Sequence, residues 1–111
     1  MNRYHSLLAV LLITLMPLSG QEGNYVDQNY DKSNYQIEMR DGVRLYTIVY
    51  TPRDHSETYP ILMQRTPYSI GPYGDTKRSR LSSNELLEKD KYIFVFQDVR
   101  GKFMSEGEFV D

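Results

Sequence analysis

Tyr92-Ile93-Phe94-Val95-Phe96-Gln97-Asp98-Val99-Arg100-Gly101 opens as an unbroken apolar run and ends in a polar, glycine-bearing turn. Such a run lacks the alternation of a half-buried strand, and marks a strand covered on both faces, as in a parallel sheet. A helix signature stands just upstream. Ser82 and Glu85 form a capping box, and Leu81 and Leu86 sit where a hydrophobic staple would close. The spacing predicts a helix from about Ser83 to Glu88 or Lys89. Before it, residues 65–80 carry Pro67, Gly71, Pro72 and Gly74, and read as a loop. Ordered loops of such length tend to be functional. Pro60 to Gln64 is a short apolar run, read as a strand buried in the sheet.

Further upstream the pattern is that of a hairpin. Tyr35, Ile37 and Met39 alternate with Gln36, Glu38 and Arg40, the two-residue period of a strand. Asp41-Gly42 is a two-residue turn signal of type I′. The return strand, Val43 to Tyr50, is rich in β-branched and aromatic residues and places Val43, Leu45, Thr47 and Val49 on one face. Pro52 to Thr58 is a polar loop holding His55. An antiparallel hairpin followed by strand, loop, helix and strand implies an α/β fold, with a mixed sheet and a parallel core.

Residues 1–20 read as a signal peptide. Arg3 and His5 form a polar start, Leu7 to Leu18 is apolar, and Ser19 and Gly20 are small residues before a cleavage point at Gln21. The apolar run is shorter than the roughly 20 residues of a membrane span. An uncleaved anchor is the alternative. Secretion or a periplasmic location is expected, with membrane contact only during export. Residues 21–34 read as a polar leader draped over the domain. They carry a repeat of period five, Asn24-Tyr25, Asn29-Tyr30 and Asn34-Tyr35, for which a tyrosine-lined sugar or peptide contact is the minor alternative. Asp27, Asn29, Asp31, Ser33 and Glu38 fall at calcium-loop positions, but Lys32 stands where the sharp turn needs glycine. Residues 35–111 are expected to form the folded part.

Of the 13 basic residues, cleavage removes Arg3, which leaves 12 against 15 acidic ones. There is no basic footprint for nucleic acid. With no cysteine in the chain, disulfides, thiolate metal sites and a cysteine nucleophile are excluded. The residues carry no G-x-S-x-G elbow, phosphate-binding loop or H-E-x-x-H motif. His55 reads as a solvated loop histidine, and Asp98 and Glu106 as a turn aspartate and a solvated glutamate.

Three segments taken jointly carry a resemblance: Met39-Arg40-Asp41-Gly42-Val43-Arg44-Leu45-Tyr46, Arg65-Thr66-Pro67-Tyr68, and Gln97-Asp98-Val99-Arg100-Gly101 running on to Ser105-Glu106-Gly107-Glu108-Phe109. In order and spacing, from about Tyr30 to Asp111, the chain resembles the start of the cocaine-esterase, α-amino-acid ester hydrolase and Xaa-Pro dipeptidyl-peptidase group of serine hydrolases. The resemblance implies the N-terminal part of an α/β-hydrolase mixed sheet, incomplete in this chain. It implies that Tyr68 is a catalytic residue whose hydroxyl lies in the oxyanion hole, and that Arg65, Asp98, Arg100 and Gly101 are structural.

It also implies Ser-His-Asp acyl transfer on small ester or amide compounds or short peptides, with no metal or organic cofactor. In that group the G-x-S-Y-x-G elbow comes after the point where this chain stops at Asp111. The expectation is therefore a fragment, inactive alone, with the Pro60–Gln64 edge open. A small secreted β-rich binding module and an inactive truncated product are the alternatives. One departure concerns the helix end, where Asp90-Lys91 stands in place of the group's usual glycine.

Overall fold

The computed structural model describes residues 24–111. The stretch read as a signal peptide lies outside them. In chain order the elements are α1 (Tyr25–Asn29), β1 (Tyr30–Glu38), β2 (Arg44–Pro52), β3 (Ile61–Thr66), α2 (Glu85–Lys89) and β4 (Ile93–Asp98). The strands form a four-stranded sheet of order β1-β2-β4-β3. β1 pairs antiparallel with β2, β2 antiparallel with β4, and β3 parallel with β4. The mixed α/β sheet with a parallel pair is the expected one. Among the described residues no helix is long and apolar enough to cross a membrane.

The hairpin forms, with a different turn. Met39 N–H donates to Val43 O (2.8 Å) and Gly42 N–H to Met39 O (2.9 Å), so Arg40-Asp41-Gly42 is a three-residue loop. Only Gly42 takes a positive φ there, at 86°. This is the type I turn with a left-handed closing glycine, the usual three-residue hairpin solution, and it replaces the expected type I′ turn. The Asp41 carboxylate caps it by accepting from Val43 N–H at 3.1 Å.

The expected polar leader over residues 21–34 is corrected for its described part. Asn24 caps α1 by accepting from Asp27 N–H at 3.0 Å, and β1 already begins at Tyr30. Val26 and Tyr30 are fully buried. The apolar faces of these two side chains outweigh the polar composition around them. The strand geometry from Tyr30 to Glu38 also removes any calcium loop, because β1 is extended where such a loop must turn.

The core lies on one face of the sheet. Ile48 and Tyr50 of β2 and Phe94 and Phe96 of β4 pack there with Val26, Tyr30, Ile70 and Leu81. Burial of each such side chain is worth ~1.5–3 kcal/mol. Edge-to-face contacts of Tyr30 with Phe94 and of Tyr50 with Phe96 order the aromatics. The opposite face of β4 is only half covered at Ile93 and Val95, short of the two-sided burial expected of the apolar run. On that side Leu45 and Thr47 are buried, and Gln97 donates its amide to Thr47 Oγ1 at 2.9 Å.

Tyr30 locks β1 to the far side of the core. Its hydroxyl is within hydrogen-bond reach of Glu88 O (3.1 Å) and Tyr92 O (2.8 Å). Burial first, then neighbouring Tyr25, Glu88 and Tyr59, pushes this phenol well above its ordinary range. Burial also raises Tyr50. Above the ordinary phenol pKa of about 10, the unfolded chain loses protons that the folded chain keeps. Stability therefore falls as pH rises past that point. Urea midpoints at about pH 9 and about pH 11 are expected to show the fall, and Tyr30→Phe to shrink it while lowering stability at both. Equal midpoints in the parent chain would refute this.

The helix differs in its caps. Asn84, not Ser82, is the N-cap, accepting from Leu86 N–H at 3.0 Å. The expected staple is not made. Leu86 is exposed, and Leu81 turns into the core. Instead the buried Glu88 carboxylate accepts from the backbone N–H groups of Leu81 and Ser82. At the other end Lys91 adopts the left-handed conformation itself, with φ of 62°. Lys91 N–H donates to Glu88 O (3.0 Å) and Tyr92 N–H to Leu87 O (3.2 Å). This is a Schellman close made without glycine, and Lys91 Nζ also pairs with Asp54 at 2.5 Å.

β3 is the sheet edge. Its whole length is exposed except for the half-buried Thr66: the run read as a buried strand is here the open edge that the resemblance implied. The reason is topological: among the described residues only β4 pairs with it, and Ile61, Leu62 and Met63 stay in solvent. A flat apolar edge is a template for association. The purified chain is expected to self-associate in sedimentation velocity, and Leu62→Lys with Met63→Glu to shift it toward monomer. A parent chain that sediments as a monomer would overturn this.

Candidate functional site

The parallel pairing of β3 and β4 places their carboxyl ends side by side, with Thr66 opposite Asp98. Open α/β sheets bind ligands beyond such ends. Pro67 and Tyr68 leave β3 directly, and Thr66 Oγ1 accepts from Tyr68 N–H at 3.0 Å. That local bond holds the chain at the strand end and carries Tyr68 outward. The Tyr68 side chain is 77% exposed.

The loop then returns to the sheet. Gly71 N–H donates to Ser69 Oγ (3.1 Å), and Ser69 Oγ lies 3.4 Å from Tyr73 Oη. The Tyr73 hydroxyl donates to Asp98 Oδ2 at 2.8 Å. Burial raises the Tyr73 phenol, and the Asp98 hydrogen bond and charge add to the rise. Asp98 is fully buried. Its Oδ2 also accepts from Met104 N–H (3.2 Å), and its backbone oxygen accepts from Ser105 Oγ (2.6 Å). Its Oδ1 is buried without a partner among the described residues. The turn aspartate expected here is therefore a buried junction, because β4 extends through Asp98 before the turn begins.

Beyond β4 the chain folds back on β2. β2 pairs with β4 only from Thr47 to Tyr50, so the first backbone groups of β2 need other partners. Ser105 and Glu106 supply them. Glu106 N–H donates to Arg44 O (2.9 Å), Arg44 N–H to Glu106 Oε1 (2.9 Å), and Tyr46 N–H to Ser105 Oγ (2.8 Å). Glu106 stays exposed at the surface, as expected. Gly101, at φ of 75°, closes this loop by donating to Glu106 O at 2.9 Å.

Arg100 forms a two-pronged pair with Asp41, at 2.8 and 3.3 Å, joining the loop to the hairpin turn. That hydrogen bond is the chief reason the Asp41 carboxyl titrates below its ordinary range. Arg65 lies beside Pro67, Val99 and Arg100 in a shallow hollow.

The structure brings Asp98, Arg100 and Gly101 together at the end of β4 and places Tyr68 two residues beyond Thr66, the register partner of Asp98. His55 is exposed in its loop, beside Asp54 and Glu57 and away from Tyr68. Among the described residues no group of three or more His, Asp and Glu side chains is placed to hold a metal ion. Two residues were not singled out from the sequence, Tyr73 and Arg78. The Arg78 guanidinium stacks on Phe96 at 4.0 Å and donates to Ile70 O at 2.9 Å. A lone aromatic or arginine in a Gly- and Pro-rich loop carries no local signal of such distant partners.

The X-Pro dipeptidyl-peptidase (S15 family) description matches residues 41–111. The chain is 45% identical over 87 residues to cocaine esterase of Rhodococcus sp. (strain MB1 Bresler), a match covering 77% of this chain and 15% of the esterase. Among solved structures, it is similar to an α-amino acid ester hydrolase (34% identity, TM-score 0.64), covering 95% of this chain and 17% of that one. It is also similar to an aminopeptidase from a marine sediment Thaumarchaeota archaeon (36% identity, TM-score 0.60), covering 75% and 14%. The chain thus spans about a sixth or less of the length of these relatives.

Proposed function

The chain belongs to the X-Pro dipeptidyl-peptidase (S15) family, and from that premise we propose that it is the N-terminal part of an exported serine hydrolase. The observation that carries the proposal is Tyr68, held on a tight loop at the carboxyl end of the parallel strand β3, next to the end of β4. In this reading, polypeptide beyond Asp111 supplies a serine with its histidine and aspartate. The serine oxygen attacks the carbonyl carbon of an ester, amide or short peptide while histidine takes its proton. The carbonyl electron pair moves onto oxygen, and the Tyr68 hydroxyl and one backbone N–H donate to that oxyanion. Collapse expels the alcohol or amine, which takes the proton from histidine, and water releases the acyl group.

Nothing in this scheme calls for a metal or organic cofactor. The exposure of Tyr68 agrees with a side chain that faces a substrate cleft completed by further polypeptide. The test is to express the complete translated polypeptide and assay an aryl ester and an Xaa-Pro anilide, with a fluorophosphonate probe for the serine. Turnover with covalent labelling supports the reading. A polypeptide with neither overturns it.

A further inference from the structure

We infer that Tyr73 and Asp98 are positioning residues that hold the Tyr68 loop in its working geometry; this rests on the hydrolase reading above. The loop has two feet. One is Thr66, whose Oγ1 accepts from Tyr68 N–H at 3.0 Å. The other is Tyr73, whose hydroxyl donates to Asp98 Oδ2 at 2.8 Å. Thr66 and Asp98 are register partners on adjacent parallel strands. Neighbouring strands stand ~4.8 Å apart, so residues 67–72 form an arch pinned at both feet across a narrow base.

Tyr68 stands on this arch with its side chain in solvent, so the arch, and not packing around the ring, sets its position. Gly71 N–H and Ser69 Oγ extend the bracing from Tyr73 back toward Tyr68. The second foot is rigid because Asp98 is fully buried and is also held by Met104 N–H and Ser105 Oγ. Lys32 Nζ, which donates to Pro72 O (2.8 Å) and Thr76 O (2.6 Å), and Arg78, which donates to Ile70 O (2.9 Å), hold the arch itself and the loop after it against the body, where Ile70 is buried in the core. They brace it without reaching the strand end where Tyr68 emerges.

The experiment uses the complete translated polypeptide as wild type, Tyr73→Phe, Tyr68→Phe and the double variant. Amide hydrogen exchange across residues 67–74 and steady-state ester hydrolysis are both measured. The expected result is faster exchange at 67–74 in Tyr73→Phe, with kcat about tenfold lower and KM unchanged, since small misplacement of a catalytic group is costly. In the Tyr68→Phe background the same change is expected to cost nothing further, because the positioned hydroxyl is already gone. Unchanged exchange in Tyr73→Phe would overturn the tie itself. Faster exchange with fully additive kinetic losses would overturn the positioning role. A wild-type polypeptide that hydrolyses nothing would overturn the hydrolase reading and the positioning role with it, while the exchange data would still show whether the tie exists.

Discussion

Gly101→Ala is expected to cost about 4 kcal/mol or more, enough to leave little folded chain. A Cβ on Gly101 would sit 2.1 Å from Phe109 N and 2.4 Å from Glu108 C. Both are backbone atoms, so no rotamer change relieves the contact. The φ of 75° adds strain of ~1–2 kcal/mol for a non-glycine residue. To make room, the segment at Glu108 and Phe109 must leave Gly101, which would disturb the Glu106 and Ser105 bonds that complete β2. Gly74→Ala is the matched control. Its φ is similar, at 77°, but nothing lies within 4 Å of the added carbon. That variant should show only the backbone strain. Urea unfolding by circular dichroism compares the two, and equal shifts would refute the packing account of Gly101.

Tyr68→Phe in the complete polypeptide is expected to lower kcat by about 10²–10³-fold, as for the loss of one oxyanion donor. KM should change little, because the ground-state carbonyl carries less charge than the oxyanion. Since Tyr68 is 77% exposed and packs on little, loss of its hydroxyl should leave folding stability within ~0.5 kcal/mol of the parent. The pair of results separates a transition-state donor from a structural tyrosine. Unchanged kcat with intact folding would remove Tyr68 from the mechanism. Equal loss of kcat and stability would assign it to the fold.

Much of this site was legible because its parts are local. Arg65 to Tyr68 and Asp98 to Gly101 are short segments, and each keeps its shape through neighbours in sequence: Thr66 Oγ1 with Tyr68 N–H, and the left-handed Gly101 turn. What escaped was pairing at a distance. Tyr73 and Asp98 lie 25 positions apart, and they meet only because β3 and β4 run parallel in one register. Ser105 lies in a quoted segment, yet its bond to Tyr46, 59 positions away, has no spacing that announces it. The helix cap moved from Ser82 to Asn84 because Leu81 was drawn into the core and the buried Glu88 carboxylate took up its backbone. Residues 24–34 were misjudged for a related reason. Their composition is polar, but Val26 and Tyr30 bury in the core and β1 pairs with β2 from Tyr30 onward.

The sequence by itself determined the hairpin, the strand-loop-helix-strand order and the family. The first two follow from periodicity and turn residues, which are properties of neighbouring positions; the family follows from the resemblance of the spaced segments. The tertiary structure decided the sheet order β1-β2-β4-β3, and with it a buried Asp98 and an outward Tyr68. The order and register of β1, β2 and β4 go with the joint burial of Tyr30, Ile48, Tyr50, Phe94 and Phe96, while the exposed β3 is held to β4 by their parallel ladder. No local pattern encodes which strand lies beside which; the shared core and the ladder do.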